Sequence, residues 1–288
     1  MERPSYPAFH SLWTKPVTVS GRRFEMNKAE VFTMIVSALM WQKHNGSIML
    51  YTDKTGYEFI SRNNLLDLWD SGINTDILEN TNYPINPIVF WAAGKLIALE
   101  ASATPCVMLD TDLIVLKPLD SLLQNSALTA LHPEALELNV YLSPALLKKP
   151  AGFIFPDYYN WKVSPANTAF VYIRDSKFKQ FYVDESKKFM FHNDEMPAEM
   201  VSQMVFAEQR LFAICADSAK QPVNYLLSEA FSLSNNQVIH LWGFKEPMRK
   251  SAALQKVYAK QLFGKVADEL AENPIFKRFV EDVYPGFF

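Results

Sequence analysis

Two acids separated by one residue, Asp110 and Asp112, are the strongest chemical signal in the sequence. An apolar run over residues 106–109 precedes them and a second over residues 113–116 follows. The first run predicts a buried strand, and open α/β sheets bind ligands beyond the carboxyl ends of their strands. Two carboxylates there can both reach a divalent cation, or one can reach the cation and the other a ligand hydroxyl. The alternative is a surface turn, but a turn is not expected to hold two acids between two apolar runs.

The residues before these acids alternate between predicted strands and predicted helices. Apolar runs predict strands over residues 8–13, 47–51 and 106–109 and a short strand near residue 73. Apolar residues at helical spacing predict helices over about residues 28–44, 56–69 and 87–101. The first helix has a capping box formed by Asn27 and Glu30, and Asn86-Pro87 starts the third. This alternation is typical of a mostly parallel sheet with helices on both faces.

The second half of the chain is less regular. It contains predicted strands over residues 127–131, 168–173 and 237–240 and predicted helices over about residues 174–191, 202–216 and 252–272. Between the first two strands, residues 132–165 are rich in proline and aromatic residues and show no clear period. No repeat, low-complexity segment or linker divides the sequence, so we expect a single domain over residues 1–288.

Composition and charge exclude several classes of protein. The formal net charge of −3 argues against a nucleic-acid-binding protein, which normally carries a basic face. No run of about 18 apolar residues occurs, so no transmembrane segment is expected. The first residues lack the apolar core of a signal peptide, and the 2 cysteines cannot form a disulfide framework. We therefore expect a cytoplasmic protein.

The segment around the two acids resembles a known family. Lys95 precedes the apolar strand, the Asp-x-Asp pair, the second apolar strand and a Pro118-Leu119-Asp120 turn. This order resembles the metal-binding segment of GT-A glycosyltransferases, and it is most similar to the glycogenin-like retaining family (the family 8 type). Three later fragments resemble motifs of that family in the same order: Asn167–Val171, Glu208–Leu211 and Val238–Lys245.

The resemblance implies a fold and a division of the chain. The fold is the GT-A fold of nucleotide-diphospho-sugar transferases, which is an α/β fold with a mostly parallel Rossmann-like sheet and a smaller mixed C-terminal half. Residues 1–125 would bind the nucleotide sugar and the metal, and residues 126–250 would lie on the acceptor side. Residues 251–288 would form a C-terminal helical tail.

The resemblance also implies roles for individual residues. Asp110, Asp112 and His240 would hold Mn²⁺ or Mg²⁺, and Asp110 would also lie near the nucleotide ribose. Lys245, which follows Gly243, would neutralise the diphosphate. The other implied residues are Lys95 near the nucleotide and Asn167, Glu208 and Gln209, which would line the donor sugar as the catalytic group.

Three positions depart from the family's pattern. Ala169 stands where the family has a glycine, and Glu208 stands where it has an aspartate. Lys245 lies one position closer to Gly243 than in the family. A glycine reaches positive φ freely whereas alanine does not, so the loop near the donor sugar could be bent differently. These departures leave open a protein that binds a sugar nucleotide without turnover.

The expected activity is that of a metal-dependent hexosyltransferase. It would move a sugar from a nucleotide diphosphate sugar, such as a UDP-sugar, to a saccharide or lipid-linked acceptor. The alternative is a Mg²⁺-dependent phosphohydrolase of the haloacid-dehalogenase type, which uses the first acid of an Asp-x-Asp pair as its nucleophile. Against that alternative, the pair lies at residue 110 and no Gly-Thr follows Asp112.

Two aromatic segments have no role in this scheme. Phe153, Phe155, Tyr158, Tyr159 and Trp161 either form an acceptor-binding surface, because sugar rings pack on aromatic rings, or belong to a loop packed on the core. The tail from residue 276 to residue 288 can pack on the body, pair two chains in a homodimer, or make a peripheral contact with the inner face of a membrane.

Overall fold

The computed structural model describes residues 5–137, 139–229 and 236–287. The strands in these ranges are β1 Ala8–Leu12, β2 Ile48–Thr52, β3 Ile73–Asn74, β4 Cys106–Leu109, β5 Leu113–Val115, β6 Leu128–Ala130, β7 Phe170–Ile173, β8 Val223–Tyr225 and β9 Val238–His240. The helices are α1 Lys15–Thr18, α2 Lys28–His44, α3 Lys54–Arg62, α4 Asp76–Glu79, α5 Ala93–Ala101, α6 Asp120–Leu123, α7 Ser176–Met190, α8 Met200–Val205, α9 Leu211–Ser218, α10 Lys245–Arg249, α11 Ala252–Leu270 and α12 Pro274–Val283. A 3₁₀ turn covers Leu66–Leu68, and a π-helical turn over Phe206–Arg210 joins α8 to α9.

Seven strands form one mixed sheet in the order β3-β2-β1-β4-β7-β6-β8. Strand β7 runs antiparallel to its neighbours β4 and β6, and the other pairings in this sheet are parallel. Strands β5 and β9 form a separate antiparallel pair. The predicted fold class, a mostly parallel α/β sheet flanked by helices with a smaller mixed part, is confirmed.

Apolar residues alternate between the two faces of the sheet because successive side chains of a strand point to opposite sides. In β4, Val107 and Leu109 join a core cluster that includes α2, α11 and α12. Cys106 and Met108, on the other face, join a cluster that includes α5, α7 and α9. All four side chains are buried, which explains why the run before Asp110 is continuously apolar.

Helix α2 begins at the capping box that the sequence predicts. The Asn27 side chain accepts hydrogen bonds from the N–H groups of Ala29 and Glu30, and the Glu30 carboxylate accepts one from the Asn27 N–H. From Ala29 to Trp41 every residue of this helix is buried. The helix packs against β5, α11 and α12, which explains why its sequence has no polar face.

Two predicted helix boundaries are wrong. The helix expected to reach residue 69 ends at Arg62, and Asn64 in the turn that follows takes a positive φ of 54°. The helix expected from Asn86 becomes regular only at Ala93, after a series of turns. The Ala92 N–H in those turns donates to the Met204 sulfur, a contact that a local sequence pattern does not contain.

The aromatic segments pack on the core. Phe155 contacts Trp161 edge-to-face with a centroid distance of 4.9 Å, and Trp161 stacks on Phe206 at 5.6 Å. Tyr159 is also buried, whereas Tyr158 is 48% exposed. The packed-loop alternative therefore describes this segment, apart from Tyr158.

The C-terminal helices pack on the body of the molecule. Phe276 is fully buried, with its ring centroid 5.7 Å from that of Phe32 on α2 and 6.0 Å from that of Phe263 on α11. Of the three roles considered for the tail, packing on the body is the one observed. No helix in the described ranges has the length and apolarity needed to cross a membrane.

The packing of the tail predicts a stability effect. We expect Phe276→Ala to lower the free energy of unfolding by about 3–5 kcal/mol, because it removes a buried ring and leaves a cavity. Val257→Ala on α11, where the side chain is 55% exposed, is the control and should change stability by less than about 0.5 kcal/mol. Urea unfolding measures both, and equal effects would contradict the packing.

Candidate functional site

Asp110 and Asp112 lie on a tight turn between the two sheets. Strand β4 ends at Leu109, and the Asp110 N–H donates to the Ala169 carbonyl at 2.8 Å beside the start of β7. The Leu113 N–H then donates to the Asp110 carbonyl at 3.0 Å, which closes the turn. Strand β5 starts at Leu113 and leaves the main sheet. Both carboxylates are thereby held at the carboxyl end of a buried strand.

His240 reaches these acids through the pairing of β9 with β5. In this pair His240 lies opposite Leu113, and the Leu241 N–H donates to the Asp112 carbonyl at 3.1 Å. Each of Asp110, Asp112 and His240 offers one ligand atom, and these atoms lie within 4.8 Å of one another. The three residues implied as metal ligands are therefore brought together.

Lys95 is a partly buried member of the site. Its Nζ lies 2.7 Å from Asp110 Oδ1 and also contacts the Glu208 carboxylate. Helix α5 packs closely against Trp13 because residue 94 is glycine, where an added Cβ would lie 2.5 Å from the Trp13 Cβ. The Lys95 side chain is only 15% exposed.

Glu208 and Gln209 lie on the π-helical turn, a feature frequently found at functional sites. The Glu208 carboxylate accepts a hydrogen bond from the Thr168 hydroxyl at 2.8 Å. The Tyr182 hydroxyl fixes the turn by donating to the Glu208 carbonyl, also at 2.8 Å. Gln209 Oε1 accepts a hydrogen bond from the Tyr141 hydroxyl at 2.5 Å. Among the described residues, Gln209 Nε2 has no partner.

Asn167 lies just before β7 and is 2% exposed. Its Oδ1 accepts a hydrogen bond from the Ala169 N–H at 3.1 Å, and its Nδ2 donates to Glu134 Oε1 at 2.8 Å. Ala169 does not take a positive φ, so the replacement of a family glycine causes no backbone strain. Glu134 and Tyr141 are contacts that the sequence did not identify, because both lie in the stretch without a clear period.

Lys245 reaches Asp112 after a turn at Gly243. Gly243 has φ of +76°, a conformation that favours glycine, and the turn leads into the short helix α10. The Lys245 Nζ lies 2.9 Å from Asp112 Oδ2. In this structure the lysine contacts a carboxylate, and the role toward a diphosphate that the resemblance implies for it stays a prediction.

Burial and charge shift the pKa values in this cluster. Burial lowers the pKa of His240, against the opposing effects of Asp112 and Asp110, so its imidazole is neutral at pH 7 and available as a ligand. Burial alone would raise the pKa of Asp112, but Lys245 and His240 outweigh it and the pKa lies below its usual value. Burial would likewise lower the pKa of Lys95, and Asp110 and Glu208 together raise it instead.

A series of buried hydrogen bonds ends at Leu113, the residue that follows Asp112. Trp69 Nε1 donates to His10 Nδ1 at 3.2 Å, so the other ring nitrogen of His10 carries the proton and faces the Ser37 hydroxyl at 3.1 Å. Ser37 donates in turn to the Leu113 carbonyl at 2.5 Å. Burial lowers the pKa of His10 to about 3, so the imidazole stays neutral near pH 7. The sequence placed His10 in a strand but gave no sign of this role.

A family model described as "Family of unknown function (DUF6734)" matches residues 8–272. No curated protein matches the sequence.

Solved structures match at low identity. Mouse xyloside xylosyltransferase 1 has 10% identity and a TM-score of 0.33, over 72% of this chain and 83% of that one. The galactosyltransferase LgtC, solved with donor and acceptor sugar analogues, has 14% identity and a TM-score of 0.36, over 76% and 72%. The 4-diphosphocytidyl-2C-methyl-D-erythritol synthase of Anaerococcus prevotii has 10% identity and a TM-score of 0.36, over 81% and 94%. Likenesses at these scores identify neither an activity nor a substrate of this chain.

The Lys95 ion pairs predict a large stability effect. We expect Lys95→Met to lower the free energy of unfolding by about 3–5 kcal/mol, because it leaves the buried Glu208 and the partly buried Asp110 unpaired. Adding Glu208→Gln should restore part of the loss. The control is Arg23→Met, which breaks an ion pair whose Arg side chain is 72% exposed and should cost less than about 1 kcal/mol. Equal losses for Lys95→Met and Arg23→Met in urea unfolding would contradict the burial of the cluster.

The hydrogen bonds that link His10 through Ser37 to Leu113 predict a separate effect on metal binding. We expect Ser37→Ala to weaken Mn²⁺ binding about tenfold, because the turn that carries both acids loses its anchor. The control is Thr33→Val, which removes another buried hydroxyl of α2. The Thr33 hydroxyl bonds to the Ala29 carbonyl and the Tyr258 hydroxyl and not to Leu113. Both variants should lose about 1 kcal/mol of stability, and only Ser37→Ala should lose Mn²⁺ affinity in calorimetric titration. Equal Mn²⁺ affinities would show that Ser37 is purely structural.

Proposed function

The chain belongs to the DUF6734 family of unknown function, and we propose that it is a metal-dependent glycosyltransferase acting on a nucleotide diphosphate sugar. The observation that carries this proposal is the convergence of Asp110, Asp112 and His240 at the carboxyl end of β4. Two lysines, Lys95 and Lys245, lie in direct contact with the two acids. Such a cluster suits a divalent cation together with an anionic leaving group.

The donor atoms fit the implied metal. Carboxylate oxygens suit both Mg²⁺ and Mn²⁺, and the neutral imidazole of His240 favours the transition metal of the two. Asp110, Asp112 and His240 would hold this ion. When bound, the ion supplies Lewis-acid stabilisation of the negative charge that develops on the departing diphosphate.

The other side chains fix the geometry around the sugar. Lys95 holds the Asp110 carboxylate in one orientation, and its second ion pair ties it to Glu208 on the π-helical turn. Gln209 has its amide oxygen bound by Tyr141, so its Nε2 is available to donate to an oxygen of the donor sugar. Preorganised donors of this kind stabilise charge at little reorganisation cost.

The proposed donor is a UDP-sugar, and the proposed acceptor is a saccharide or a lipid-linked saccharide. The retaining outcome and the transfer of a hexose are proposed only from the resemblance of the motifs. No observation favours the phosphohydrolase alternative. In that mechanism Asp110 would act as the nucleophile, and the position of the pair at residue 110 with no Gly-Thr after Asp112 argues against it.

The proposal predicts the effect of removing one acid. With Mn²⁺ and a panel of UDP-glucose, UDP-galactose and GDP-mannose, we expect Asp112→Asn to lower nucleotide release from the preferred donor about 100-fold or more. Asp282→Asn on α12, where the side chain is exposed, is the matched control and should leave the rate unchanged. Thermal unfolding verifies that both variants are folded. A folded Asp112→Asn variant with the wild-type rate would refute the proposed role of this acid.

A further inference from the structure

We propose that Lys245 and the divalent cation exchange with one another at Asp112. In the metal-free protein the Lys245 ammonium neutralises Asp112, and the incoming cation displaces it. The displaced ammonium then becomes available to the diphosphate of the donor. The second half of this proposal rests on the proposed function, whereas the exchange itself concerns only the protein and the metal.

The contact lies on the oxygen that a metal would use. The Lys245 Nζ lies 2.9 Å from Asp112 Oδ2, and the same oxygen lies 3.8 Å from His240 Nε2. The ammonium therefore sits on the carboxylate oxygen nearest to the imidazole ligand. A divalent cation bound between Asp112 and His240 would compete with it for the same lone pairs and would repel it.

The two lysines of the site differ in how firmly they are held. Lys95 contacts two carboxylates and is 15% exposed, so its removal from the cluster would leave two acids unpaired. Lys245 has Asp112 as its ion-pair partner among the described residues, and its side chain is 40% exposed. A lysine has a flexible four-carbon stem, which allows the ammonium to move while the backbone of α10 stays in place. Lys245 is thus the exchangeable cation and Lys95 the fixed one.

The exchange couples metal binding to nucleotide binding. A metal that displaces the ammonium frees it for a phosphate, and a phosphate that attracts the ammonium clears Asp112 for the metal. Because coupling between two ligands is reciprocal, each ligand strengthens the binding of the other by the same factor.

Calorimetric titration of Mn²⁺ into nucleotide-free protein tests the exchange. We expect Lys245→Met to bind Mn²⁺ about tenfold more tightly than the wild type, because the competing ammonium is gone. Lys250→Met removes an exposed lysine just after α10, and it controls for the general loss of one positive charge. That control should change the Mn²⁺ dissociation constant by less than about twofold, as screened surface charges do.

A second titration, of UDP in the presence of saturating Mn²⁺, tests whether the displaced Lys245 ammonium contacts the diphosphate. We expect Lys245→Met to bind UDP about tenfold more weakly than the wild type. Tighter Mn²⁺ binding by Lys245→Met with no UDP binding by any form would support the exchange and refute the nucleotide function. An Mn²⁺ affinity that Lys245→Met leaves unchanged or weakens, or the absence of Mn²⁺ binding by every form, would overturn the exchange.

Discussion

The pairing of β5 with β9 is the constraint on which the site depends. Strand β5 starts directly after Asp112, and its partner β9 comes from a distant part of the chain. The pairing places His240 opposite Leu113 and the turn at Gly243 beside the acids, so that Lys245 reaches Asp112. Without it, the acids would still end a buried strand but would lack both the imidazole and the second ammonium.

The site also places two carboxylates where they are almost completely buried from solvent. Glu208 and Asp112 are nearly buried, with side-chain exposures of 4% and 9%. Buried charges are tolerated when they are paired and hydrogen-bonded, and each of these acids has a lysine in contact. The two lysines thus compensate the charge of these acids in the metal-free protein, which allows the proposed metal site to form before an ion binds. The buried His10 imidazole, which is linked through Ser37 to the Leu113 carbonyl, is neutral near pH 7 and so adds no further buried charge.

The sequence predicted the parts of this arrangement that depend on local patterns. The apolar run before Asp110 predicted strand β4, and the Asn27 and Glu30 capping box predicted the start of α2. The motif resemblance correctly grouped Asp110, Asp112 and His240 in space. It also assigned roles to Lys95, Asn167, Glu208 and Gln209, and those roles remain predictions.

The remaining features arise from tertiary contacts that no local pattern contains. Ser37 is one of many buried residues on a helix without a polar face, so its bond to Leu113 leaves no trace in the sequence. Tyr141 and Glu134 lie in an irregular segment, where spacing carries no information about which side chain faces inward. The contact of Lys245 with Asp112 depends on how α10 follows the turn at Gly243, and a resemblance to other chains did not reveal it.

We propose that Asp110, Asp112 and His240 form one metal site that serves a nucleoside diphosphate. The most direct measurement is an anomalous difference map from crystals grown with Mn²⁺ and UDP. We expect a manganese peak bonded to all three residues, with the diphosphate on the same ion and the Lys245 ammonium moved from Asp112. A map with no peak at these residues, or with UDP bound elsewhere without metal, would contradict it.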